Sequence, residues 1–193
     1  MCSKPLVSII MNCYNCNSSY LSEALESVLA QTYDNWELIF WDNCSTDQSE
    51  KIVKFYSDPR IQYYLSDQYT ALGEARNLAI SKSRGELIGF LDADDIWFPE
   101  KLEKQIPLFQ KPKVGIAICD TLFFNEKRII KQLYKKKKPP VGSVFRQLLG
   151  QYFVSLETAM IRRDALKSLD HWFDKRFEVI EEYDLFVRLG YNW

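Results

Sequence analysis

The chain has 193 residues, 47% of them hydrophobic and 26% charged, which is enough to bury a core and is most simply one domain. Lysine plus arginine (25) nearly balances aspartate plus glutamate (26) for a net charge of -1, excluding a composition built for nucleic acid or a strongly acidic partner. No window reaches the roughly 18 apolar residues of a membrane span, and MCSKPLVSII lacks the apolar stretch, basic flank and cleavage site of a signal peptide, so a cytoplasmic protein is expected.

Leu6 to Met11 is a short β-branched run closed by the Asn-rich NCYNCNSS, which predicts a buried strand and then a loop. Leu21, Ala24, Leu25, Val28 and Leu29 recur at helical spacing, with Ser18 or Ser19 available to cap the start. Trp36 to Trp41 reads as the next strand, and Ser45 with Gln48 reads as a capping box opening a helix through Tyr56. Arg60 to Leu65 is a further strand, Thr70 to Ser81 a helix and Glu86 to Leu91 a strand. This alternation predicts an α/β fold with a mostly parallel sheet, and the nearly continuous apolar character of the strands predicts helices on both faces. No G-x-G-x-x-G follows the first strand and no P-loop motif occurs, which disfavours a dinucleotide-binding or P-loop protein.

Beyond Pro99 the pattern predicts a helix to about Gln110, then strands over Val114 to Asp120 and Leu122 to Ile130, the second more exposed. KQLYKKKKPP follows, with five lysines in its first eight residues. It reads as a solvated loop, the alternative being a site for an anionic acceptor or membrane surface. A helix near Ser143 to Leu149, a strand near Ser155 to Ile161, a short helix from Arg163 and a last helix from Glu181 complete the pattern. The chain stops at Trp193 without a closing element and reads as cut short. Cys2, Cys13, Cys16, Cys44 and Cys119 form an odd set without a regular framework, so reduced thiols are expected. The lone C-x-x-C of Cys13 and Cys16 lacks a second pair, and the single histidine, His171, is remote in sequence. Redox or zinc chemistry is therefore disfavoured.

The chemistry concentrates in ELIGFLDADDIWFPEKLE, where Asp92, Asp94 and Asp95 end the fourth strand. Open α/β sheets bind ligands at that edge. Carboxylates so close repel one another unless a cation or donor array offsets them. Mg2+ and Mn2+ bind through one or two carboxylates plus substrate phosphates, so a metal-bridged nucleotide diphosphate is the natural inference. An EF-hand loop opening at Asp92 would place Trp97 and Glu103 where Gly and Glu are required, which rejects it. A phosphatase-type nucleophile would follow the first strand, and a structural role for Asp95 as a helix cap stays open.

PLVSIIMNCYN, SVLAQTYDNWELIFWDNCSTD, GEARNLAISKSRGELIGFLDADD and EEYDLFVRL occur in that order, and together they resemble a family 2 glycosyltransferase of the GT-A fold over nearly the whole chain. The resemblance implies a metal-dependent inverting transferase with a nucleotide-sugar donor, UDP-linked, acting in surface polysaccharide or glycoconjugate synthesis. It further implies a saccharide or lipid-linked acceptor, peripheral contact with the inner face of a membrane, and no nucleic acid partner. Residues 1–98 would form a nucleotide-binding half and residues 99–193 an acceptor-side half. By motif position Asp94 would bind the divalent metal, with Asp92 contacting the ribose or reaching the metal through water. Asn12 and Tyr14 would flank the nucleobase, Asp42 and Asn43 would form the pair after the second strand, and Arg76 and Asn77 would lie beneath the nucleotide.

The family's Glu-Asp near the chain end is Glu181-Glu182 here, which makes Glu182 the base by position. Helical spacing also joins Glu182 to Leu185, Phe186 and Leu189, so it is expected to face the protein and Glu181 to meet solvent. The Glu-Glu departure keeps a non-catalytic nucleotide-sugar binder as the alternative. A nucleotidyltransferase would want a Gly-rich, Arg-containing first loop, and NCYNCNSS has neither residue.

Overall fold

A computed structural model describes residues 4–125, 128–177 and 179–193. The first half is built from β1 (Val7–Cys13), α1 (Ser18–Leu29), β2 (Trp36–Asp42), α2 (Ser49–Phe55), β3 (Ile61–Leu65), α3 (Leu72–Lys82) and β4 (Leu87–Phe90). The second half contributes α4 (Lys101–Gln105), β5 (Ile116–Ala117), β6 (Leu122–Asn125), β7 (Arg128–Gln132), α5 (Phe145–Gly150), β8 (Met160–Arg162), α6 (Arg163–Lys167) and α7 (Glu181–Asn192). Six strands form one sheet in the order β3-β2-β1-β4-β8-β5, while β6 and β7 form a separate hairpin. The strands β1 to β4 pair in parallel, and β8 runs antiparallel to both β4 and β5.

Both faces of this sheet are covered, as the apolar strands predicted. Val7, Ile9 and Met11 of β1 pack with Leu38 and Phe40 of β2, with α1 and with Trp97 on one side. Ile10, Ile39, Trp41 and Phe90 pack with α3 and α7 on the other. Successive strand side chains point to opposite faces, so one strand feeds both cores. Glycine is required where β4 begins: a Cβ on Gly85 would lie 2.5 Å from the Ser8 backbone nitrogen and 2.7 Å from the Leu6 carbonyl oxygen.

Several element ends differ from the sequence expectation, each for a local reason. The α1 cap is Asn17, whose Oδ1 accepts the N–H groups of Ser19 (3.0 Å) and Tyr20 (3.4 Å), and neither Ser18 nor Ser19 caps it. The expected capping box at Ser45 does not form. Ser45 instead donates its N–H to Asp42 at 2.7 Å and accepts the Asn15 N–H on its hydroxyl at 2.9 Å. α2 therefore starts only at Ser49, whose N–H goes to Asp47 at 2.9 Å. After Gln105 the α-helix tightens to a 3-10 turn over Ile106–Gln110, because Pro107 has no N–H to continue the ladder.

The strand expected over 155–161 is a 3-10 turn at Leu156–Thr158 followed by β8. Thr158 sends both its N–H (3.0 Å) and its hydroxyl (2.6 Å) to the Ser155 carbonyl, a local bond that competes with sheet pairing. Only Ile116 and Ala117 pair in the stretch 114–120, and the stretch 122–130 folds back as a hairpin instead of running as one strand. Cys13 and Cys16 are joined as a disulfide with Cα atoms 5.8 Å apart, which corrects the expectation of reduced thiols at these two positions. Asn15, at φ 50, turns the chain back between them. Cys44 and Cys119 are free, and Cys2 lies outside the described residues.

Candidate active site

Strand order runs outward from β1 through β2 to β3 on one side, then passes to β4 on the other. The crevice between the carboxyl ends of β1 and β4 is therefore the topological switch point, where open α/β sheets hold ligands. Asn12 and Asp92 stand at these strand ends, and Asp42 at the end of the neighbouring β2. Among the described residues the buried Asn12 Nδ2 has no hydrogen-bond partner, as is also true of the Trp36 and Trp41 indole nitrogens in the cores. Tyr14 is 52% exposed and lies against Tyr69, 61% exposed, with ring centroids 4.7 Å apart.

The other nucleotide-side candidates are engaged with the protein itself. Asp42 is buried and accepts the Ser45 N–H on Oδ1 and the Tyr63 hydroxyl, at 2.6 Å, on Oδ2. Burial first, and the Asp42 carboxylate second, push the Tyr63 hydroxyl well above its ordinary pKa. Asn43 is buried and clasps Thr70, donating to its carbonyl at 2.8 Å and accepting its N–H at 3.2 Å. This pair fixes the loop that carries Tyr69. Asn77 similarly clasps the Phe173 peptide, donating at 2.8 Å and accepting at 3.0 Å. Its amide is committed to the segment before α7 and does not line the cavity described next.

A cavity of about 330 Å³ opens between α3, the end of β4, the segment 152–157 and the start of α7. Arg76, Asp92, Tyr152, Glu157, Glu181 and Glu182 all line it. Arg76 is buried and bonds Glu181 at 2.6 Å and Asp92 at 3.3 Å. It ties three elements together. The expected facing of the two glutamates is thereby corrected: Glu181 is the buried one, at 3% exposure, and Glu182 is half-buried at the cavity wall. Glu181 lies four residues before Leu185, so it shares the apolar stripe as well as Glu182 does. The fixed charge of Arg76 beneath the first turn of α7 decides between them.

The Tyr152 hydroxyl donates to Glu182 Oε1 at 3.4 Å, and its ring meets that of Tyr183 edge-on, with centroids 5.1 Å apart. Burial, followed by the Glu182 charge, raises the Tyr152 pKa well above its ordinary value, so the hydroxyl stays a donor. Tyr152, Glu157, Tyr69 and the ion-paired Glu181 were not reached from sequence. The exchange of a usual Glu-Asp for Glu-Glu was the one signal pointing near them.

Asp92, half-exposed, and Asp94, exposed, flank a turn in which the Asp95 N–H bonds the Asp92 carbonyl at 3.1 Å. Burial first, then the charges of Glu157, Asp92 and Asp94, push the Asp95 carboxyl up to about 7. This is an all-oxygen donor set whose Asp92 is paired with Arg76 at 3.3 Å and whose Asp94 is exposed, and oxygen donors of this kind suit a hard divalent cation. Among the described residues no three acidic, histidine or cysteine side chains already converge as a closed site.

The chain matches the family model described as Glycosyl transferase family 2 over residues 8–170. It is 32% identical over 184 residues to the UDP-Glc:alpha-D-GlcNAc-diphosphoundecaprenol beta-1,3-glucosyltransferase WfgD of Escherichia coli, covering 95% of this chain and 69% of that protein. In structure it is similar to S. aureus TarS 1-349 in complex with UDP-GlcNAc, with TM-score 0.76, 24% identity, and coverage of 96% of this chain and 53% of that one. It is also similar to the mannosyltransferase PcManGT from Pyrobaculum calidifontis in complex with GDP-Man and Mn2+, with TM-score 0.68, 20% identity, and coverage of 90% and 49%. At these identities the two structures establish the fold. The chain spans 64% to 71% of the length of the first curated relatives it matches and about half of the two solved structures.

Proposed function

The chain belongs to glycosyl transferase family 2, and on that premise we propose that it moves a sugar, with inversion, from a nucleotide-diphosphate donor to an acceptor hydroxyl in polysaccharide or glycoconjugate synthesis. The observation that carries this reading is the shared cavity: Glu182 faces the same 330 Å³ space as Arg76 and Asp92 at the sheet's ligand edge. The donor is read as UDP-linked, with the base beside the exposed Tyr14 and near the open Asn12 amide. A saccharide or lipid-linked acceptor would enter from the side of Tyr152 and Glu157.

In this mechanism Glu182 takes the proton of the acceptor hydroxyl as that oxygen attacks the anomeric carbon, and the nucleoside diphosphate departs from the opposite face. Tyr152 holds the carboxylate in place by its hydrogen bond. Arg76 is neutralised by Glu181 and Asp92, so its role is to position Asp92 and the start of α7. Asp94, with Asp92 through water, would hold Mg2+ or Mn2+, which supplies charge stabilisation to the departing diphosphate. Asp42, Asn43 and Asn77 set the loops around the nucleotide from behind.

Glu182→Gln should lower turnover by roughly 10²- to 10⁴-fold while leaving donor affinity unchanged. Calorimetric titration with UDP-, GDP- and dTDP-sugars, with and without Mn2+, checks donor and metal together. Binding of none of the three in the presence of Mn2+ would overturn the reading. Turnover that persists in Glu182→Gln would remove Glu182 as the base.

A further inference from the structure

The β6–β7 hairpin stands outside the six-stranded sheet and pairs within itself. Phe123, Phe124, Ile129 and Ile130 on it are 44%, 55%, 61% and 63% exposed. A two-stranded ribbon is marginal in water alone, and an exposed group of large apolar side chains marks a contact surface. Beside this apolar group sits a concentration of positive charge. The Lys131 ammonium is 5.3 Å from the centroid of the Phe123 ring, and Lys135 to Lys138 follow, all four exposed. Lys135 is three residues past the end of β7, hence within about 11 Å of it by chain length.

The segment that leads into the lysine run is anchored. The Leu133 N–H bonds the Thr121 carbonyl at 3.0 Å. Asp120 accepts from Gln132 at 2.7 Å and from the Tyr134 N–H at 2.9 Å, and the Tyr134 hydroxyl bonds the Phe153 carbonyl. Lys131 and the apolar side chains thus share one ribbon, and Lys135 to Lys138 follow from its anchored end, in a chain whose net charge is only -1.

We propose that this hairpin and its lysine run dock the protein on an anionic lipid surface. The lysines pair with headgroup charge while the Phe and Ile side chains enter the headgroup–acyl boundary. A second copy of the chain would bring a second lysine run against the first and be repelled. Ile129 and Ile130, more exposed than the Phe123 and Phe124 rings, suit acyl chains, whereas a nucleobase would stack on the two rings alone. Among the described residues no helix is long and apolar enough to cross a membrane.

The location gives the contact a use. Phe124 and Ile129 also line a groove of about 780 Å³, together with Phe98, Asp95 and Glu157. Glu157 lines the catalytic cavity too. A chain seated on lipid by the hairpin therefore holds the groove, and through Glu157 the cavity, beside the bilayer. The docking itself does not depend on transferase activity.

Flotation of the 193-residue chain with phosphatidylcholine vesicles, with and without phosphatidylglycerol, tests the proposal. Binding is expected only to the anionic vesicles and should weaken with added salt. The quadruple variant K135Q/K136Q/K137Q/K138Q, with its fold checked by circular dichroism, should bind at least about tenfold more weakly. The variant F124S/I129S should retain salt-sensitive attraction but dissociate faster. Failure to bind anionic vesicles, equal binding to both vesicle types, or unchanged binding of the quadruple variant would each overturn the proposal. So would concentration-dependent dimerisation abolished by F124S/I129S, or tighter capture by single-stranded nucleic acid than by anionic vesicles.

Discussion

Arg76 and Glu37 show how much of this protein rests on single buried charges. Arg76 neutralises Glu181 and holds Asp92, so Arg76→Met should leave the Glu181 carboxylate buried and unpaired. The expected loss is about 3 to 5 kcal/mol in urea unfolding, and the double variant with Glu181→Met should recover most of it. A loss under about 1 kcal/mol would show that the pair is not structurally coupled. Glu37, buried in β2, accepts from Ser8 at 2.7 Å, from the Arg84 N–H at 2.6 Å, and from the Arg84 guanidinium and Gln62. Burial alone would raise its pKa, but the bonds from Arg84 and Ser8 outweigh burial and hold it below the ordinary carboxyl value. A depressed carboxyl contributes stability that is complete above the unfolded value and is lost as pH falls through the folded one. Glu37→Gln should therefore cost about 2 kcal/mol at pH 7 and flatten the stability profile below pH 4.5, measured by denaturant melts across acid pH.

At the scale of elements, strands and crossover helices were legible because their signals are periodic and repeated. Boundaries were less so, because they depend on which partner a polar side chain meets. Ser45 and Gln48 spell a capping box, yet Asp42 at the end of β2 and Asn15 in the loop after β1 occupy Ser45 first. The start of β4 offers a clean test of close approach. Gly85→Ala would drive a Cβ into the Ser8 nitrogen and the Leu6 carbonyl, both backbone atoms of the central strand region that cannot swing aside. A loss of about 3 kcal/mol is expected, at the upper end of overpacking costs, and it should appear as an earlier thermal midpoint. A neutral Gly85→Ala variant would contradict the tight junction between β1 and β4.

At the scale of the molecule, the switch point between β1 and β4 and the cavity beneath α7 lie on one edge of one sheet. A donor that bridges them should stabilise the folded state by mass action. UDP with Mn2+ at 100 times its dissociation constant should add about 2.7 kcal/mol, seen as an upward shift in thermal midpoint. Asp94→Asn should reduce that shift far more than Asp95→Asn. Equal effects of the two substitutions would place the cation elsewhere.

The sequence by itself determined the α/β class, the mostly parallel sheet, the acidic edge at Asp92 and Asp94, and the family, because these rest on local periodicity and on motifs contiguous in the chain. Only the tertiary structure decided that Glu181, not Glu182, is buried, since Arg76 lies 105 residues away in the chain. It likewise decided that Asn43 and Asn77 clasp backbone at Thr70 and Phe173, and that Tyr152 and Glu157 join the cavity. An amide or carboxylate is satisfied by whichever donor or acceptor the fold brings within reach, and that choice is settled by packing between distant segments rather than by neighbours along the chain.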